Sequence, residues 1–336
     1  MTLHLTFQLV DEGGRFAYPD QNTLPLYDRL DELESQGRVC DLIQFICQEP
    51  QFLELRVRLV GFHIQRQEYV EALTIATEAV SMAIALIPTD FKGCINWYEL
   101  DNRPFLRLLG FMAIANVHLR RHKEASTVIA QSLKYNPSDN MGLREYHGSE
   151  LLRSGNWSRA KTTLRKHADS FPSCQYELAL VHLAVGEWAL AATALRHGFH
   201  HNPYIAEMIC GLGTPSRQVY WHSTNHHDPE YAAGYMDLYG SHWKDHPERI
   251  LFVRWLFNHP RVMQERAAVL ACRETLLWTG DISERQVLVH QISLLLNSTL
   301  HDLSEELVVQ RADLHGHSCW PWLRFAPDEL RQAVNG

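Results

Sequence analysis

The side chains best suited to chemistry lie in one run, His222-Ser223-Thr224-Asn225-His226-His227-Asp228. Three imidazoles and a carboxylate are ligand types that a divalent ion such as zinc takes. His222 and His226 are four residues apart and would share a face if the run were helical. The run reads as a loop, however, and HExxH is missing from the sequence. The expectation is a polar, solvent-facing loop; the competing reading is a metal-dependent hydrolase built on it. His315, His317 and Cys319 in HGHSC form a second set. Their alternation would put three ligands on one side of an extended segment, and solvent exposure is again the plainer reading. Cys210 follows His200 and His201, but no third group orients a thiol–imidazole pair. Those two histidines read as helix-end residues, where a cationic ring favours the C-terminal dipole. Phosphate-cradling, dinucleotide and nucleophile-elbow motifs do not occur. No catalytic residue, metal ligand or cofactor site is assigned, and the expectation is a protein that is not an enzyme.

The elements that would carry these loops are helices in pairs. Ala125 to Pro137, Ala160 to Pro172 and Ala191 to Pro203 each span 12 residues, and successive alanines are 35 and 31 residues apart. Aligned on the alanine, the first helix of each pair carries Ala113, Gly148 or Ala179, and the turn carries Arg120, Gly155 or Gly186. A small residue on the first helix lets the second approach, and the second helix's alanine fills the gap. A turn glycine accepts positive φ. The proline stops the second helix and directs the chain into the next pair. Trp157 and Trp188 follow the turn glycines at matching places, which implies packing between repeats.

This period and pattern match the tetratricopeptide repeat. Around it, Asn136-Pro137-Ser138-Asp139-Asn140-Met141-Gly142-Leu143-Arg144 lies between Arg103-Pro104 and Asn202-Pro203, with Gly93, Trp97, Tyr231-Ala232 and Trp255-Leu256 further out. Over roughly residues 93–257 the chain resembles a mainly bacterial group of tetratricopeptide proteins, distantly similar to the suppression-of-tumorigenicity family. The resemblance implies fold and interaction work and carries across no catalytic residue. By physical reading, Asp139 or Asn140 caps the helix that follows, and Arg144 braces the linker carbonyls or the Asp139 carboxylate. The alternative for Arg144 is ligand binding on an inner helix face.

The expected fold is all-α: a right-handed superhelical solenoid of antiparallel helix pairs, tetratricopeptide-like, with a short N-terminal extended segment. Residues 1–20 are an arm or strand. Residues 21–257 are the repeats, clearest at 106–205 and interrupted by an insert at 89–104. Residues 258–336 are a helical capping or docking segment. The net charge of −8 and the lack of a long Lys/Arg run argue against nucleic acid. Seven unpatterned Cys, with no CxxC pair, point to free thiols in a reducing compartment. No basic leader and no stretch long enough to span a membrane is evident, so the cytoplasm is the expected location.

Repeat stacks of this kind hold other molecules on a concave face. The leading expectation is therefore a scaffold or adaptor for a protein or peptide; the alternative is a regulatory subunit of a larger enzyme or secretion assembly. Homo-oligomerisation is open. The candidate partner-binding residues are Asn116, Arg120, Arg144, Glu145, Glu150, Glu177 and His182 on the first helices of the pairs. Arg120 and Arg144 are suited to holding a carboxylate. Trp320 and Trp322, in the Cys-Trp-Pro-Trp tail, read as exposed aromatic anchors.

Overall fold

The computed structural model describes residues 3–11, 13–19, 22–329 and 331. Residues 1, 2, 12, 20, 21, 330 and 332–336, which fall in the predicted arm, at the first residue of the predicted repeat segment and in the tail, lie outside the described residues. The chain divides into two compact units, 1–160 and 161–336.

Unit 1 begins with a hairpin of β1 (Thr6–Val10) and β2 (Gly13–Ala17), followed by α1 (Leu24–Ser35), α2 (Val39–Gln48), α3 (Leu53–Gln65) and α4 (Tyr69–Ile84). The predicted insert forms β3 (Cys94–Ile95) and a single 3-10 turn, and then come α5 (Arg103–His118), α6 (His122–Tyr135) and α7 (Arg144–Arg153). The unit boundary falls inside α8 (Trp157–His167). Unit 2 contains α9 (Pro172–Leu183), α10 (Trp188–His201), α11 (Pro203–Ile209), α12 (Pro229–Tyr239), α13 (Ser241–Lys244), α14 (Pro247–Phe257), α15 (Pro260–Trp278), α16 (Ile282–Asn297) and α17 (His301–Leu307). The short strands β4 (Arg311–Ala312) and β5 (Ser318–Cys319) pair antiparallel near its end. Within each unit, helices adjacent in sequence pack as consecutive antiparallel pairs, the arrangement of an all-α helical-repeat protein.

One turn geometry recurs. After α3 the N–H groups of Gln67 and Glu68 donate to the carbonyls of Ile64 and His63, and after α5 those of Arg120 and Arg121 donate to Val117 and Asn116. Gly155 with Asn156, and Gly186 with Glu187, repeat the pattern after α7 and α9. The first residue of each couple has positive φ: +59° at Gln67, +58° at Arg120, +81° at Gly155 and +75° at Gly186. This is the Schellman end, in which a left-handed residue lets two N–H groups close the last helical carbonyls. Gln67 and Arg120 hold it without glycine, where the side chain costs about 1–2 kcal/mol. Five residues beyond the turn residue lies Ala72, Ala125, Ala160 or Ala191, each fully buried. Ala72 therefore extends the three-alanine register to the pair upstream.

The insert explains the N-terminal strands. β3 pairs parallel with β2, Gly13 against Cys94 and Gly14 against Ile95, and β2 pairs antiparallel with β1. The fully buried Asn102 accepts from Phe16 N–H (2.8 Å) and donates to the carbonyls of Asn96 and Gly14 (2.9 and 3.3 Å). Phe7 meets Phe16 and Phe91 edge to face, as Phe105 meets Tyr135, and a tilted Phe16–Phe105 contact joins the two sets. Arg103 lies over the Trp97 ring and donates to the Trp97 carbonyl. Gly14 is required here: a Cβ would meet the Phe7 ring at 2.1 Å.

Candidate functional site

The polar residues singled out on the first helices divide by burial. Asn116 is buried and its amide donates to the Met112 carbonyl. Glu150 is fully buried and lies 2.8 Å from His122 Nδ1. The fully buried Glu177 accepts from the Tyr235 hydroxyl at 2.9 Å, and that hydroxyl accepts from the Trp243 indole N–H at 2.9 Å. His182 is buried, its Nδ1 2.6 Å from Glu187. Burial lowers the His182 pKa, and the Glu187 hydrogen bond opposes that shift. These four are interior positions, enclosed because the first helix of a pair is flanked by its neighbours. Arg120 stays exposed at its left-handed turn, and Arg144 and Glu145 are half-buried. Asp139 caps α7 by accepting from the N–H groups of Leu143 and Arg144 at 2.8 and 2.9 Å, while the Arg144 guanidinium donates to the Pro137 carbonyl. Arg144 is thus the brace that its spacing implied.

The tail tryptophans do not stand free. Trp322 is buried, its ring 4.7 Å from Phe252, 5.0 Å from Trp188 and 5.2 Å from Trp255, and Trp320 stacks on it at 4.9 Å. The exposed aromatic of this region is Phe325, at 94%. It borders a groove of about 560 Å³ lined by Ile250, Trp255 and Pro321.

The histidine run is a loop closing on a short 3-10 turn, Asn225–His227, ahead of α12. His222 is buried: Nε2 lies 2.9 Å from the Tyr204 hydroxyl, Nδ1 lies 2.8 Å from the Tyr220 carbonyl, and the ring stacks on Tyr220 at 4.1 Å. His227 Nδ1 is 2.6 Å from the His222 carbonyl, and Asp228 pairs with Arg217. His315 and His317 place their backbone N–H groups on Asp313 Oδ1 in the loop between β4 and β5. Among the described residues, no three His, Cys, Asp or Glu side chains are grouped to hold a metal ion.

Two features of unit 2 escaped the sequence reading. The first is an interior group of bases. Arg273 of α15 is buried at 4% exposure and His200 of α10 at 2%. Arg273 Nη1 and both ring nitrogens of His200 have no hydrogen-bond partner among the described residues. Burial, then the neighbouring rings and the charges of Arg196 and Arg273, pulls His200 down to about 3. Burial and then Arg273 do the same to His201, to about 4, and to His227, to about 3. The rings of His201 and His227 lie 6.0 Å apart. A polar residue at a helix end, read as solvated, gives no sequence signal for such enclosure.

The second is an exposed apolar hairpin. α15 and α16 pack through Val269, Cys272, Leu276 and Ile292. Ile292 is the one buried residue of α16. Trp278 (74% exposed), Ile282 (73%), Val287 (65%), Val289 and Leu294 are turned to solvent. Ile282, Arg285, Gln286, Val289, His290 and Ser293 line a shallow groove of about 500 Å³ along α16. Their offsets from Ile282, 3, 4, 7, 8 and 11, define a single helical face. Neither the protein-family models nor the curated proteins contain a match to this chain.

Proposed function

We propose that the chain is a protein-interaction scaffold whose contact surface includes the outer face of α16. The observation that carries this reading is the exposure of Trp278, Ile282, Val287, Val289 and Leu294 together on one hairpin. Contiguous apolar surface of this kind marks interfaces, because covering it releases ordered water; full burial of one such side chain is worth about 1.5–3 kcal/mol. The occupant is an amphipathic helix of a partner protein. Ile282 and Val289, with Arg285, Gln286, His290 and Ser293, form one stripe at helical spacing on a 16-residue helix about 24 Å long, with Val287 and Leu294 about 140° round the helix from it, and a helix-in-groove contact anchors side chains at that spacing. The repeat architecture supports the same work, since helical stacks offer extended surfaces with few demands on individual residues. Membership of the tetratricopeptide group belongs to this reading, supported by the buried alanine register and the recurrent turn. No helix among the described residues is long and apolar enough to cross a membrane, and the reading places the work in the cytoplasm, where seven free thiols persist.

The test is capture from native extract with a photo-crosslinker at Gln286, beside a double variant Ile282→Glu, Val289→Glu. The expected result is one crosslinked protein, bound stoichiometrically by the wild type and lost in the variant. Light scattering that gives a dimer for the wild type and a monomer for the variant would assign the face to a second copy and overturn the hetero-partner. A crosslinked partner that the variant retains would move the interface elsewhere.

A further inference from the structure

The end of unit 2 sets a projecting ring beside a hollow. Trp322, held among Phe252, Trp188 and Trp255, anchors the 3-10 turn Pro321–Leu323 against α14. Two residues after the buried Leu323 the chain turns Phe325 into solvent, and the next residue, Ala326, is buried again. The backbone is held on both sides of the ring. Ala326 N–H donates to the Leu323 carbonyl at 3.0 Å, and the Arg331 guanidinium donates to the Ala326 carbonyl at 2.8 Å. Phe325 is thus presented at a fixed place, on the border of the groove of about 560 Å³ that Ile250, Leu251 and Trp255 of α14 line with Pro321. Aromatic rings dominate the energetics of interfaces, and here a held ring in water adjoins an open apolar groove.

We propose that this face joins two copies of the chain in a two-fold dimer, the Phe325 ring of each seated in the α14 groove of the other. A two-fold contact needs a surface that is its own complement, so that a knob on one copy meets a hole on the other and the reverse. Phe325 is the knob and the groove is the hole, side by side on one face. The charges complement one another in the same way. Arg254 lines the groove, is exposed, and donates to the Cys210 carbonyl at 2.9 Å, but pairs with no carboxylate among the described residues. Asp328 and Glu329, three and four residues beyond Phe325, are both exposed; Asp328 lies 3.7 Å from Arg331, and Glu329 pairs with no base among the described residues. Carrying Phe325 into the groove of a second copy carries these acids toward the Arg254 that lines it. Each ring buries about 150–250 Å² and covers a similar area of groove. Two rings and two grooves give about 600–1,000 Å² in all, below the roughly 1,200–2,000 Å² of a standard interface. The dimer is therefore weak and exchanging, with Kd on the order of 10–100 μM. It uses α14 and the tail, leaves α16 free, and does not rest on the reading of α16.

The test is sedimentation velocity of the purified full chain over a concentration series, beside a photo-crosslinking arm. In that arm a Phe325→p-benzoylphenylalanine chain is mixed in heavy-isotope-labelled and unlabelled forms. The expected result is a monomer that passes to a dimer through the stated range, and a crosslink from position 325 of one chain to α14 of a differently labelled chain. Phe325→Asp is expected to weaken the dimer at least about tenfold and, at an exposed position, to leave the urea midpoint unchanged. The double variant Ile282→Glu, Val289→Glu is expected to dimerise as the wild type does, and Phe325→Asp to keep the partner that α16 captures, so failure of one face is read separately from failure of the other. A wild type still monomeric at about ten times the upper end of the range overturns the dimer. Dimerisation undiminished in Phe325→Asp, or lost only in the α16 variant, overturns this face. Crosslinks confined to single chains overturn the exchange of rings.

Discussion

Helices α9 and α16 lie in the same unit and invert one another. All 12 residues of α9 are buried, among them Gln175, Glu177 and His182. α16 has 16 residues and buries only Ile292, leaving Ile282, Val287, Val289 and Leu294 in solvent. Polarity read residue by residue would send Gln175, Glu177 and His182 to solvent and Ile282, Val287, Val289 and Leu294 to the core. The difference shows what decides burial in a repeat stack. α9 packs along α10 and, through Ser173 and Glu177, meets Tyr231 and Tyr235 of α12, so its polar groups find partners inside. α16 packs along α15 with Trp221 beside it, and most of its circumference is exposed.

The largest effect that would break this comparison is acid. The buried His200 and the half-buried His201 and His227 have proton affinities near 3 to 4, against about 6.5 for an unfolded histidine. The folded pKa lies below the unfolded one, so the contribution is complete above pH 6.5 and is lost as pH falls toward the folded values. Between pH 7 and pH 5 the three rings together remove on the order of 5 kcal/mol, comparable with the whole stability of a domain. Urea unfolding at pH 7, 6 and 5 measures it; a flat profile would show that these rings are solvated, as surface histidines are.

Next in size is Glu177→Ala. It removes the carboxylate that accepts from the buried Tyr235 hydroxyl, at about 2–4 kcal/mol by chemical denaturation. If Glu177→Ala were neutral, α9 would resemble α16 after all. Ala191→Leu comes third, at about 1–3 kcal/mol, because a fully buried alanine against its partner helix has no room for the branched Leu side chain; the same melts report it. The smallest expected effect sharpens the other side. Val289→Glu on α16 changes stability by less than about 0.5 kcal/mol while abolishing partner capture. A melt lowered by several kcal/mol would mean that Val289 packs within the fold.

The stack was legible in the sequence because its construction depends on small residues and special turns at fixed offsets, and these show locally. Ala125, Ala160 and Ala191 and the turn residues Arg120, Gly155 and Gly186 are where spacing puts them. The Asp139 cap and the Arg144 brace to the Pro137 carbonyl were also readable, since all their parts lie within eight consecutive residues. The interior of Glu177 was not, because its partner Tyr235 is 58 residues away and hydropathy counts a carboxylate as surface. Trp322 misled in the opposite way: its pocket is assembled from Trp188, Phe252 and Trp255 on other helices. Arg273 sits on a helix with no unusual pattern, and its burial, with Nη1 lacking a hydrogen-bond partner among the described residues, shows only in three dimensions. β3, two residues long, is below the length at which alternation becomes visible.

The three-stranded sheet of unit 1 has a consequence for how this protein is made. β2 is the central strand, and the partner for its second edge, Cys94–Ile95, emerges 81 residues after Gly13. At about 5–20 residues per second of synthesis, the interval is about 4–16 seconds. Through that interval the nascent hairpin presents Phe16 and an open strand edge to whatever surrounds the ribosome, the kind of edge that recruits stray strands. The first strands made are therefore completed only after four helices have followed them, and translation speed across residues 20–95 sets how long they wait.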